Sequence, residues 1–322
     1  MAQAPPRIAG RTREVSWLAR AAGANSPLKA HKALWGYIFL SPWLVGLVVF
    51  IVGPIIASFY LSFTDYQVMS PPNWVGLANY EKAFTGDNLF WPSIWVTLKY
   101  ALVVVPVGLL GSLLLAMALN QGKRGTYSFR TIFYLPSLVP AVALALVWTW
   151  LFHPEVGPIN VALSYAGIKG PAWIADDHWA LPALIIISLW SSVGGNTMLI
   201  FLAGLQGVPS ALLDAAAIDG AGRWAKFRHI TLPMISPTVL FNLILGVIGA
   251  LKVFTLAFVA TKGGPNYATW FFALHIYQQA FSYFRMGYGS ALAWLFVIML
   301  LAFTYLQLRV SQRWVYYAGG ES

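Results

Sequence analysis

The chain alternates between six long apolar tracts and short polar segments. The tracts cover roughly residues 33–63, 93–119, 131–152, 181–205, 233–261 and 290–309. A helix needs about 20 mostly apolar residues to cross the hydrocarbon core of a bilayer, and every tract is at least that long. The first tract carries no charged residue between Lys32 and Asp65. This pattern predicts an all-α, polytopic membrane protein with six transmembrane helices.

Composition supports the same fold class. Of 322 residues, 59% are hydrophobic and only 9% are charged, whereas soluble domains are about 25% charged. A soluble domain must cover its surface with polar groups, so a soluble enzyme, a disordered protein and a nucleic-acid-binding domain are excluded. Cysteine is absent, which rules out disulfides and thiolate metal sites. The expected partner of the surface is the lipid bilayer, and no metal site is expected.

The distribution of basic residues predicts the topology. If the N-terminus lies inside, the inner segments hold 14 of the 20 Lys and Arg residues and the outer loops hold four. Basic residues are enriched in cytoplasmic loops, so both termini are predicted to be cytoplasmic. The predicted organisation is a cytoplasmic tail over 1–32, a membrane domain over 33–314 and a cytoplasmic tail over 315–322.

The inner segment 206–232, between the fourth and fifth tracts, has a helix–turn–helix pattern. Ser210 is a plausible N-cap for a short helix over Ala211–Asp219, and Gly220 can close that helix in a left-handed turn. The small side chains and the acid Asp214 suit docking into a groove of a partner protein. The alternative is a helix lying flat at the lipid headgroups, with its basic residues on anionic lipid.

Specific motifs in this segment resemble a known family. Asp214-Ala215-Ala216, Gly220 and Ile230-x-Leu232-Pro233 resemble the EAA loop of ABC importer permeases, with Asp214 standing where the family usually has glutamate. The resemblance extends over most of the chain and is closest to the MalF/UgpA-like permeases of the carbohydrate-uptake group. Other stretches that carry it are Arg130–Pro136, Leu199–Gln206 and Gly263-Gly264-Pro265.

The resemblance implies a type I ABC importer permease fold in a bacterial or archaeal plasma membrane. It implies a transport subunit for sugars or oligosaccharides that is not itself an enzyme. The implied partners are a second, MalG-like permease, two ATPase domains and an extracytoplasmic solute-binding protein. The implied contact with the ATPase is formed by Asp214, Ala215, Ala216 and Gly220 of the coupling loop.

The chain shows no energy source of its own. The phosphate-binding pattern G-x-x-x-x-G-K-[ST] is absent from the sequence, so ATP and magnesium are expected to bind the partner ATPase, and this chain is expected to hold no cofactor and no catalytic residue. An ion-coupled secondary carrier would need titratable residues within the spans, and an intramembrane enzyme would need a His, Asp or Glu constellation at membrane depth.

Polar groups within the spans are the candidates for the solute pathway, because such groups are costly in a bilayer. They are Asn196 in the fourth tract, and Asn242 and Lys252 in the fifth. Residues Asn242, Gly246, Ala250 and Val253 follow helical spacing along one face. Asparagine supplies the donors and acceptors that a sugar needs, but it also joins helices to one another. Lys252 could snorkel, pair with an acid of a second permease, or face the pathway, which would favour glycerol phosphate or another polar solute.

Overall fold

The computed structural model describes residues 27–121 and 125–316. The chain divides into two units, residues 1–60 and 61–322. Most of the predicted N-terminal tail lies outside the described residues, as do Lys123, Arg124 and all but two residues of the predicted C-terminal tail.

The described part of the first unit, from residue 27 onwards, is helical and largely apolar. Helix α1 (Pro27–Leu47) continues through a π-helical turn (Val48–Val52) into α2 (Gly53–Leu61). The stretch Trp35–Leu61 is long and apolar enough to cross a membrane. This confirms the first predicted span.

The second unit begins with a short ribbon, in which β1 (Thr64–Asp65) pairs antiparallel with β2 (Asn73–Trp74). All the remaining elements are helical. They are α3 (Ala78–Glu81), α4 (Phe90–Leu119), α5 (Thr126–Tyr134), α6 (Ala141–Leu151), α7 (Pro158–Tyr165), α8 (Ala180–Ser192), α9 (Asn196–Gln206), α10 (Ser210–Ile218), α11 (Arg223–Lys226), α12 (Leu232–Met234), α13 (Ser236–Leu251), α14 (Thr255–Ala260), α15 (Phe272–Tyr277) and α16 (Met286–Ser311), with π-helical turns at Lys82–Gly86, Phe227–Thr231 and Gln278–Ser282 and a 3₁₀ turn at Leu135–Leu138.

Two of the predicted spans are broken rather than straight. The third tract folds as α5 and α6, which meet at 94°, and the fourth folds as α8 and α9, which meet at 45°. Pro140 forces the first break because proline cannot continue the helix before it, and Gly194 makes the second with a φ of +99°. The tracts α4, α13 with α14, and α16 are each long enough to span by themselves.

The bent pair α5 and α6 crosses from one end of this unit to the other. Helices α4 and α8–α9 run parallel, since Tyr100 bonds to Ser188 and Leu119 shares a buried cluster with Leu205. Arg130 of α5 donates to the carbonyl of Leu119, at the end of α4. The residue after α6, Phe152, stacks at 4.9 Å on a tryptophan that contacts Trp179, the residue preceding α8. The described residues therefore contain up to six candidate spans, the predicted number, if each bent pair counts as one span.

The two breaks pack against each other. A Cβ atom on Gly194 would lie 2.6 Å from the carbonyl oxygen of Phe133, and one on Gly195 would lie 2.8 Å from the Cβ of Ser137. Only glycine fits at such distances. Backbone polar groups freed at a break must be covered by protein when they lie at membrane depth, and here each break has the other directly beside it.

We name the end of the second unit that carries residues 62–90, 153–179 and 262–285 its outer end, following the topology predicted from charge.

A buried polar cluster joins three segments at the outer end. The Asp87 carboxylate accepts hydrogen bonds from His275 Nε2 at 2.8 Å and from the Tyr288 hydroxyl at 2.5 Å. His275 Nδ1 in turn accepts from Trp270 Nε1 at 3.1 Å. These hydrogen bonds connect the start of α4 with α15 and with the start of α16.

Burial opposes ionisation of Asp87, but the hydrogen bonds from His275, Tyr288 and the Leu89 amide outweigh it and lower the pKa of this carboxyl from 3.8 to about 2. A carboxyl group whose pKa is lower in the folded state stabilises that state at pH values above its unfolded-state pKa. This stabilisation is lost as the pH falls through the folded-state pKa. The contribution of Asp87 is therefore present above pH 3.8 and disappears towards pH 2.

The substitution Asp87→Asn tests this cluster. We expect it to lower the free energy of unfolding by about 1.5–3 kcal/mol at pH 7, because hydrogen bonds to a charged acceptor are lost inside the protein. Thermal unfolding in detergent measures the effect, and the exposed Asp65→Asn is the control. The deficit should shrink as the pH falls from 4 to 2; a constant deficit over that range would contradict the assignment.

Candidate functional site: an uncharged cavity and an exposed inner helix

A cavity of about 300 Å³ lies between α4, α8, α9 and α13. Its wall contains no charged side chain among the described residues. The wall is formed by Tyr100, Val104, Val105, Gly108, Leu109, Ser188, Ser191, Ser192, Thr197, Asn242, Gly246, Gly249 and Ala250. Such a cavity is at the small end of the range typical of ligand sites.

Two residues at the inner end of the cavity wall each carry a buried polar atom that has no partner among the described residues. Asn242 is only 3% exposed, and its Nδ2 makes no hydrogen bond. The hydroxyl of Ser192 is likewise buried and unpaired. A buried donor without a partner costs about 1–3 kcal/mol. A solute that offers an acceptor at this point would recover that free energy.

At the outer end of the cavity, the polar side chains already form hydrogen bonds within the chain. The Tyr100 hydroxyl and the Ser188 hydroxyl lie 2.5 Å apart, and Ser191 Oγ donates to the carbonyl of Ser188 at 3.0 Å. The three serines share one face of α8 because residues three and four apart are neighbours on a helix. Hydrogen-bonding capacity for a solute is therefore concentrated at the inner end.

Small residues keep the cavity open. A Cβ atom on Gly108 would lie 3.4 Å from the Ser192 hydroxyl, and one on Gly246 would lie 3.5 Å from a methyl of Val105. Larger side chains at these glycines would fill space beside the unpaired groups. Gly246 and Ala250, which share a helical face with Asn242, line the cavity beside it.

Three of the six predicted pathway residues lie on the cavity wall and three do not. Asn242, Gly246 and Ala250 line the cavity. Val253 lies beyond the end of α13, packed against the main buried cluster. The other two predicted residues lie outside the cavity wall.

Asn196 and Lys252 both lie at helix breaks. Asn196 is the first residue of α9, is exposed, and accepts a hydrogen bond from the Tyr134 hydroxyl at 3.3 Å. Lys252 caps the C-terminus of α13, next to the break before α14, and is exposed. At neither position does the side chain reach the unpaired groups of the cavity.

Sequence reasoning missed the wall contributed by other helices. Tyr100, Ser188, Ser191, Ser192 and Thr197 are polar residues inside apolar tracts. The spacing of the serines in the fourth tract could have predicted this polar face, because three hydroxyls on one face of a membrane helix need hydrogen-bond partners. The position of Tyr100 opposite them depends on helix pairing, which a single sequence does not give.

The inner segment 206–232 folds as a helix, a turn and a second helix. Helix α10 covers Ser210–Ile218, and Gly220 adopts the predicted left-handed conformation with a φ of +78°. The amide of Ala221 donates to the carbonyl of Ala216 at 2.8 Å, which closes the helix as such a turn does. The predicted N-cap was wrong: Pro209 holds that position, and the Ser210 side chain makes no cap.

Helix α10 is exposed on most of its surface. Asp214, Ala215 and Gly220 are exposed, Ala216 is half-buried, and Asp214 forms no ion pair within 27–121 or 125–316. Apolar side chains are exposed as well, with Ile218 at 88%. Exposed apolar groups beside an unpaired acid are typical of a surface that contacts another protein.

A helical protein with several candidate membrane spans, an uncharged cavity and an exposed helix between two of the helices that line it has the features expected of a transport permease. A family model for binding-protein-dependent transport system inner membrane components matches residues 108–316. The chain belongs to this family, whose members are permeases and not enzymes in their own right.

Known relatives cover nearly the whole chain. It is 42% identical to the probable ABC transporter permease protein YesP of Bacillus subtilis (strain 168), over 89% of this chain and 94% of that protein. It is 34% identical to the trehalose/maltose transport system permease protein MalF of Thermococcus litoralis, over 89% and 97%. The sulfoquinovosyl glycerol transport system permease protein SmoG of Agrobacterium fabrum is 33% identical, over 86% and 90%.

A solved structure shares the fold. The chain matches a subunit in the crystal structure of a bacterial ABC transporter involved in the import of the acidic polysaccharide alginate, with a TM-score of 0.78. The match covers 88% of this chain and 96% of that subunit at 24% identity. This likeness confirms the predicted ABC importer permease fold.

The substitution Asn242→Leu tests whether the cavity amide is unpaired. Leucine has a similar shape and removes the orphan donor, so we expect the free energy of unfolding to rise by about 1–3 kcal/mol, measured by thermal unfolding in detergent. The control is Asn160→Leu, because Asn160 is equally buried but pairs with Pro154, Pro171 and Trp173. That variant should be destabilised. Equal destabilisation of both variants would contradict the assignment.

Proposed function

We propose that this chain is the permease subunit of an ATP-driven importer for sugars or oligosaccharides, and that the solute passes through the cavity beside Asn242. The observation that carries the proposal is the pair of unpaired, buried groups, Asn242 Nδ2 and Ser192 Oγ, on an uncharged wall. Hydroxyl-rich solutes offer acceptors to an amide and both donors and acceptors to a hydroxyl. The names of the MalF and SmoG relatives, which refer to saccharides or a sugar glycoside, support this solute class.

The lack of charge on the cavity wall favours a neutral solute over a phosphorylated one. A phosphate stripped of water needs cationic partners, because burying an unpaired charge is far more costly than burying a hydroxyl. No described cation lines the cavity. The alternative solute, a glycerol phosphate, would depend on Lys252, which lies outside the wall and is exposed.

The proposed energy source lies in other subunits. Two ATPase domains would bind ATP and magnesium on the cytoplasmic side, a second permease would complete the pathway, and an extracytoplasmic protein would deliver the solute. Both termini and α10 would face the cytoplasm, and the outer end would face the solute-binding protein. In this proposal the importer assembles around this chain in the membrane.

Helix α10 is placed to transmit motion to the cavity. It is joined at one end to α9, which carries Thr197, and through α11 and α12 to α13, which carries Asn242. At about 1.5 Å per residue these cavity residues lie roughly 9–14 Å from the inner ends of their helices. If an ATPase shifts α10, α9 and α13 would therefore shift with it and move the two cavity walls that they form. In this proposal Asp214, Ala215, Ala216 and Gly220 form the contact with the ATPase.

Transport by Asn242→Leu tests the solute site. In proteoliposomes that contain the whole importer, we expect uptake of a transported neutral oligosaccharide, such as maltose or trehalose, to fall at least about tenfold, the factor that 1.4 kcal/mol represents. Lys252→Gln should leave this uptake unchanged. Loss of uptake in Lys252→Gln, together with uptake of glycerol phosphate by the parent protein, would favour the alternative solute.

The substitution Asp214→Arg tests the coupling surface. Reversing the charge of an interfacial acid costs about 2 kcal/mol or more, so solute-stimulated ATP hydrolysis by the assembled importer should fall roughly 30-fold. The conservative Asp214→Glu should retain coupling, and Glu155→Arg, on the opposite end of the protein, is the control. Normal uptake by correctly inserted Asp214→Arg would rule out the proposed contact.

A further inference from the structure

The segment that links α14 to α16, residues 262–285, is strained. We name it the outer strap. Four of its non-glycine residues have a left-handed backbone: Lys262, Asn266, Tyr267 and Phe284, with φ values of 52°, 43°, 59° and 57°. This conformation is unfavourable for bulky residues. It persists only where surrounding contacts hold it in place, and it is common at clamps and switch regions.

Two polar contacts hold the middle of the strap against the start of α4. The amide of Phe272 donates to the Thr97 hydroxyl at 3.0 Å. His275, which is fully buried, donates from Nε2 to Asp87 at 2.8 Å. The hydrogen bond that Trp270 donates to His275 Nδ1 fixes the tautomer that leaves Nε2 protonated.

The strap lies over the outer end of the cavity. Tyr100 is the cavity residue nearest the outer end of α4, and the ring of Phe271 packs on it edge to face at 5.1 Å. Phe271 and Leu274 are both fully buried in the cluster that contains Tyr100 and Val104. Phe271 therefore covers the outermost residue of the cavity wall on α4.

We propose that the outer strap is a movable cover of the cavity, and that Asp87 and His275 are positioning residues that hold it closed. The cover lifts by separating one buried carboxylate–imidazole contact, and relief of the left-handed backbone offsets part of that cost. Tyr100, released from Phe271, then faces a solute that arrives from the outer end. This inference rests on the proposed function for the identity of the cavity, but the closed and lifted states of the strap can be measured without any transport.

Cysteine labelling measures the position of the strap directly. The chain has no cysteine, so a single Ser93→Cys reports alone. Ser93 is fully buried on α4, one turn from both Phe90, whose ring contacts Phe272 at 5.6 Å, and Thr97. The probe is a membrane-impermeant maleimide applied from the outer side to the importer assembled in nanodiscs.

Adding His275→Leu to the Ser93→Cys protein should raise the labelling rate at least about tenfold, because a buried hydrogen bond to a charged group contributes 1.4 kcal/mol or more. His275→Gln should restore slow labelling, since its amide can donate to Asp87. His178→Leu, an exposed histidine on another outer loop, should leave the rate unchanged. Equal labelling of His275→Leu and the parent, or equal acceleration by His178→Leu, would overturn the proposal.

A second measurement stands even if His275→Leu does not fold. With the contact intact, ATP turnover by the assembled importer should accelerate labelling of Ser93→Cys over the nucleotide-free state. No acceleration during demonstrated ATP hydrolysis would overturn a movable cover. Absence of sugar uptake in the same preparation, with labelling as expected, would instead count against the proposed solute and leave the cover in place.

Discussion

Backbone hydrogen bonding at membrane depth is the constraint on which the structure depends. A bilayer offers no partner to a free N–H or C=O group, so a spanning helix can be interrupted only where protein covers the interruption. This chain bends two of its spans sharply, between α5 and α6 and between α8 and α9, and has a short break without such a bend between α13 and α14. The first two interruptions are pressed against each other through Gly194 and Phe133, so each break shields the other.

The same interruptions create the conditions for transport. A straight bundle of apolar helices packs its side chains and leaves little polar space. The break after Ser192 instead ends α8 beside α13, so that a hydroxyl and the amide of Asn242 remain unpaired around a cavity. Shorter helices on each side of a break can also move separately. Helices α9 and α13, which carry the inner wall, are continuous with the exposed segment that contains α10, and this continuity connects the proposed site of ATP-driven motion with the proposed site of the solute.

The crossings could be predicted from the sequence because each one is a long apolar run, and such runs have few alternatives in a chain with so little charge. The turn at Gly220 was also predictable, because glycine at the end of an alanine-rich helix favours a left-handed residue. The breaks were not: Pro140 and Gly194 stand inside uninterrupted apolar tracts, and hydropathy alone cannot distinguish a bent span from a straight one.

Of the polar residues that stand out in an apolar run, Asn242 lies on the cavity wall, whereas wall residues whose location depends on another helix were not predicted. Lys252 and Asn196 stand out equally in sequence, yet the ends of their helices place them outside the cavity wall. Tyr100 and the serines of α8 form the wall because α4 packs parallel to α8. The buried contact of Asp87 with His275 joins residues 188 positions apart, and no local pattern marks it.

The most direct test of the central claim is a structure of the importer, assembled with its partner subunits and trapped with a transported oligosaccharide. The solute is expected in the cavity between α4, α8, α9 and α13, with a sugar oxygen about 3 Å from Asn242 Nδ2. Solute density elsewhere along the pathway, with only water beside Asn242, would contradict the assignment of this cavity.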